Sequence, residues 1–99
     1  MISDKQVAHA VRHEELISKW GKPQSVNTVE ALQALGLLDE VRSGSLSLGP
    51  GFLVAYRYPS MEAAEAFDAS NREHLGHRPL GNVVTENGVI GVTQIRQAT

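Results

Sequence analysis

The sequence predicts an α+β protein of one domain, residues 1–99. Two N-terminal helices precede a ββαββ unit, and an antiparallel sheet packs against helices. Three observations carry this. Apolar residues recur every three or four positions through the first 42 residues, the period of a helix with one buried face. After Ser43 the period shortens to two, as in a strand. Near the C-terminus Asn87-Gly88 stands between two β-branched runs, a strong short-range hairpin signal.

The first helix is expected over residues 3–20. Ser3 and Gln6 have the spacing of a capping box, in which each side chain satisfies a free backbone amide. Val7, Ala10, Val11, Ile17 and Trp20 form its apolar stripe, with His9 and His13 on the shoulder. Gly21 and Pro23 end it. The second helix is expected over residues 28–42, capped by Asn27 or Thr28, with Val29, Leu32, Leu35, Leu38 and Val41 turned inward. Gly36 would cost up to about 1 kcal/mol relative to alanine inside a helix, so a break is expected there.

Leu46 and Leu48 alternate with serines, Gly49-Pro50-Gly51 turns the chain, and residues 52–58 form a strand; these two pieces are expected to pair as the first hairpin. Ser60 caps a third helix to about His74, with Ala63, Ala64, Ala66, Phe67 and Ala69 as a close-packing face. Residues 82–85 and 89–95 make the second hairpin around Glu86-Asn87-Gly88, with the tight turn on Asn87-Gly88. Its apolar residues fall on both parities, which calls for two covered faces. Three helices on one face leave the other to a partner, and a homodimer is the expected solution.

Composition removes several classes of function. Hydrophobic residues at 41% and charged residues at 20% are those of a globular domain and argue against disorder. A net charge of −2 provides no general attraction for nucleic-acid phosphates or anionic lipid. The absence of cysteine excludes disulfides, thiolate nucleophiles and cysteine zinc sites. No run approaches the roughly 18–20 apolar residues of a membrane span, and the N-terminus has no secretory apolar core. A cytoplasmic protein with neither a nucleic-acid nor a membrane partner is expected.

Enzyme templates are absent: no GxSxG, HExxH, Walker loop or GxGxxG occurs, and no carboxylate pair has a spacing that demands acid–base work. The residues lean against an enzyme. The four histidines, however, fall in two pairs. His9 and His13 lie one helical turn apart, and His74 and His77 lie near the end of the third helix. Brought together, with a carboxylate from Glu14, Glu15 or Glu73, they are candidate ligands for a divalent metal, the one cofactor the sequence suggests. Arg72, His74, His77 and Arg78 form a cationic loop suited to a small anionic ligand. Tyr56 and Tyr58 share one face of their strand, as core or as contacts for a partner or ligand.

Residues 28–49, with Ala34-Leu35-Gly36-Leu37-Leu38 and then Gly44-Ser45-Leu46-Ser47-Leu48-Gly49, resemble the recognition helix and wing of winged-helix regulators, which implies DNA binding. Residues 52–95 run strand–helix–strand–strand, with Tyr58-Pro59-Ser60 before an Ala/Glu-rich helix. That order resembles small ferredoxin-like and dimeric α+β-barrel proteins, whose members bind, catalyse or assemble. The leading reading is a binding or assembly module that self-associates or holds a protein partner. Its alternative is a small enzyme or metal-binding protein using the paired histidines, and the third is a winged-helix-type regulator. The first two divide on whether the histidine pairs meet in a concave pocket.

Overall fold

The computed structural model describes residues 2–45, 51–73 and 76–96. The elements are α1 (Asp4–Trp20), β1 (Gln24–Ser25), α2 (Thr28–Leu35), α3 (Leu38–Ser43), β2 (Phe52–Tyr58), α4 (Met61–Arg72), β3 (His77–Thr85) and β4 (Gly88–Ile95). Local chemistry sets the helix starts. Ser3 and Gln6 form the expected capping box on α1, Asn27 Oδ1 accepts from the amides of Val29 and Glu30 at α2, and Ser60 Oγ accepts from Ala63 N at α4.

The α+β class and the antiparallel sheet are as the sequence predicts, but the order of elements differs. The break expected at Gly36 is present: Gly36 caps α2 with φ 74°, and α3 follows it. α3 closes at Ser43, and the strand expected around Leu46 and Leu48 lies outside the described residues. The fourth strand of the sheet is β1, in the link between α1 and α2, which pairs Gln24 with Arg57 and Ser25 with Tyr56. A two-residue polar strand has no alternation to read, so only its pairing reveals it.

The strands stand in the order β1-β2-β4-β3, with every neighbouring pair antiparallel. β2 and β3 are therefore parallel to each other with β4 between them, and α4 is their crossover. Residues 52–95 thus run strand–helix–strand–strand as expected, and the N-terminal segment adds β1 at the edge of their sheet. In the final hairpin the turn sits one residue early, on Glu86 and Asn87. Thr85 pairs with Gly88, which carries the positive φ of 117° that the tight turn was expected to share with Asn87.

The helices lie on both faces of the sheet, not on one. Tyr58 and Val89 pack with Ala63, Ala64 and Phe67 of α4 and with Leu16 of α1. On the other face Ala55, Ile90 and Val92 pack with Ala31 and Leu32 of α2, bordered by Leu38 and Val41 of α3. The edge strand β1 carries the chain from the α1 side of the sheet to the α2 side. Both parities of β4 are thus buried within one chain, and burying the second face needs no partner copy. Among the described residues no helix is long and apolar enough to cross a membrane.

Candidate functional site

The site begins with the phase of α1. Leu16 is buried, and Ile17 and Trp20 are half-buried against the α4 cluster. On a 3.6-residue period, positions 9, 13, 16 and 20 fall within about 60° of one another, whereas 7 and 11 lie on the far side. His9 and His13 are accordingly half-buried, and Val7 and Val11 are 49% and 54% exposed. The stripe expected from hydropathy is corrected here: the anchors at the C-terminal end of α1 fix the phase, and they turn the histidines inward.

α1 packs on α4, and no Cα of α1 comes within 8 Å of a strand Cα among the described residues. The helix is held above the sheet, leaving a cavity of about 380 Å³. His9, Ala10 and His13 roof it, and Val54, Tyr56 and Tyr58 of β2 with Thr93 and Ile95 of β4 make its floor. Phe67 and Asn71 of α4, His77 of β3, and Lys22 and Pro23 of the α1–β1 link complete the wall. Register explains the floor: Tyr58 pairs with Val89, Tyr56 with Gly91 and Val54 with Thr93, so alternate residues of both strands share this face.

Five rings touch in succession along the cavity. The His77 and His9 ring centres are 6.3 Å apart at 60°, and His9 stacks on His13 at 6.2 Å and 24°. His13 meets the Phe67 ring edge-on at 5.8 Å, and Phe67 lies 5.5 Å from Tyr58. Among the described residues Lys22 is the one fully charged side chain on the lining, which contains no Asp, Glu or Arg. Burial, then the charge of Asp68, then Tyr56 push the Tyr58 hydroxyl above its ordinary range, so it stays a phenol and a proton donor at neutral pH.

Asp68 itself lies outside the lining. It is 4% exposed and accepts a hydrogen bond from Asn82 Nδ2 at 2.6 Å. Burial raises its pKa, opposed by that hydrogen bond and by the Arg72 charge, while Glu65 adds to the rise. Gly91 makes the arrangement fit: a Cβ there would run into Asn82 Oδ1 and stand 3.2 Å from Tyr58 Cε2.

Of the residues singled out in the sequence, His9, His13, His77, Tyr56 and Tyr58 meet at this cavity. His74 lies outside the described residues. The cationic loop is not a loop at its ends: Arg72 closes α4, and His77 and Arg78 begin β3. Period two then sends the Arg78 side chain away from the face that His77 shares with the cavity, and neither arginine reaches the lining. Among the described residues no three His, Asp or Glu side chains are gathered as a metal-holding group. Sequence reasoning missed Lys22, Asn71 and Thr93. Asn71 was within reach, one turn beyond Phe67 on the same stripe of α4, whereas Lys22 is placed by the pairing of β1. No protein-family model matches the chain, and no curated protein or solved structure shows significant similarity to it.

Proposed function

We propose that the protein binds a small organic molecule in the cavity beneath α1. The observation that carries this reading is the convergence of His9, His13 and His77, drawn from the two ends of the chain, onto one concavity floored by Tyr56 and Tyr58. Ligand sites of small molecules run from roughly 300 to 1,000 Å³ and combine apolar walls with a few convergent polar groups. At about 380 Å³ this cavity suits a small ligand. Val54, Phe67, Pro23 and Ile95 offer apolar surface, and the imidazoles, Asn71, Thr93 and the tyrosines offer hydrogen bonds. The test is a fragment screen read by the imidazole C–H resonances. A binder shifts His9, His13 and His77 together and raises the melting temperature, and Ala10→Trp, which fills the roof from an exposed helix position, removes both effects. A screen in which no fragment moves these resonances at millimolar concentration overturns the reading.

A second reading, self-association or docking of a protein partner, is supported by a different observation. Ile2, Val7 and Val11 leave apolar side chains exposed at and along α1. Light scattering at micromolar concentration decides it. A dimer that dissociates in Val7→Lys supports self-association through this patch, and a 10.7 kDa monomer overturns self-association.

A further inference from the structure

We infer that the molecule taken by this cavity is a planar aromatic monocarboxylate, with its ring against the aromatic wall and its carboxylate toward Lys22 and the imidazoles. The inference rests on the small-molecule reading above and adds the ligand class.

Charge comes first. The lining carries one ammonium, three imidazoles and two phenol hydroxyls, and among the described residues no carboxylate opposes them. The ammonium repels a cation, and together with the phenol and imidazole N–H groups it offers donors to an anion. A charge taken out of water needs a partner of opposite sign, and one lysine matches one carboxylate. A phosphomonoester carries close to two charges and is ordinarily held by arginine forks or glycine-rich backbone turns; this lining has neither.

Shape comes second. The succession of rings from His77 through His9, His13 and Phe67 to Tyr58 presents flat faces and edges, with neighbouring centres 5.5–6.3 Å apart. Those separations are the ones at which aromatic groups pair offset or edge-to-face, so a planar ring extends the series. Size comes third. A cavity of about 380 Å³ has the volume of roughly a dozen waters, which admits one or two fused rings with a short acid arm.

Three probes of nearly one shape separate the possibilities: benzoate, neutral benzamide and cationic benzamidinium. Binding is followed by the His9, His13 and His77 resonances in the intact protein. Benzoate is expected to bind roughly tenfold more tightly than benzamide, with benzamidinium weakest. Lys22→Met, at an exposed position on the rim, is expected to weaken benzoate about two- to fivefold and leave benzamide unchanged. Equal affinities for benzoate and benzamide overturn the carboxylate assignment while leaving the cavity a small-molecule site. Silence from all three probes, with other fragments shifting the same histidines, overturns the aromatic-acid class. Silence from every molecule tested removes the binding reading itself.

Discussion

At the scale of single residues, Gly91 and Asp68 fix the packing beside the site. The space over Gly91 is filled by Asn82, whose amide holds the buried Asp68 carboxyl at 2.6 Å. Gly91→Ala is therefore expected to push Asn82 off Asp68 and leave a buried carboxyl without that donor, at a cost of about 1–3 kcal/mol. Chemical denaturation measures it, and a loss below about 0.3 kcal/mol would show that Asn82 moves freely. Asp68 also predicts a pH dependence. Its folded pKa is raised, mainly by burial, above the ordinary value of about 4, so within that window the folded state keeps a proton that the unfolded state has lost. Stability from this group is then highest below the window and falls as pH rises through it. Asp68→Asn keeps an acceptor for Asn82 and removes the charge. Its melting temperature should decline less than that of the parent protein as pH rises from about 4; identical slopes would contradict the assignment.

At the scale of elements, α1 is a helix with two differently supported halves. Its C-terminal half is anchored by Leu16, which is buried, and its N-terminal half spans the cavity as a roof. The roof end depends on the capping box, in which Ser3 Oγ accepts from Gln6 N at 3.1 Å and Gln6 Oε1 accepts from Ser3 N at 2.9 Å. Ser3→Ala is expected to cost about 1 kcal/mol locally. Amide exchange over residues 5–13 should quicken and ligand affinity should fall, with little change in the exchange of α4. Leu16→Ala, by contrast, removes an anchor from the core and should cost about 2–5 kcal/mol globally. Equal and global effects of the two substitutions would refute the division of α1 into roof and anchor.

At the scale of the whole molecule, the two helix pairs make β4 the most enclosed element. Its residues from Val89 to Gln94 are buried, between α1 and α4 on one face and α2 and α3 on the other. The slowest-exchanging amides should therefore lie in β4 and in its partner stretch around Ala55, exchanging through global unfolding. Exchange in β4 as fast as in the N-terminal turns of α1 would be incompatible with two covered faces. The same arrangement removes the sheet as the reason for dimerisation. Any self-association would have to use exposed apolar side chains such as Val7 and Val11.

Much of the local structure was legible in the sequence, because caps, strand alternation and hairpin turns are short-range devices. Ser3 with Gln6, Ser60, Gly36 and the run from Phe52 to Tyr58 each specify their element through neighbours a few residues away. The apolar residues on both parities of the last hairpin likewise told correctly that both faces of the sheet are covered. What covers them was not legible. β1 exists only as a pairing with Arg57 and Tyr56, and it is this edge strand that sends α2 and α3 to the face opposite α1. The site follows the same division. The residue types and the one-turn spacing of His9 and His13 stand in the sequence. Their inward phase was set by Leu16, Ile17 and Trp20 meeting α4, and their meeting with His77 was set by a strand order that joins the two ends of the chain. Contacts between residues distant in sequence leave no period to read, and they decide which of several amphipathic faces is turned inward.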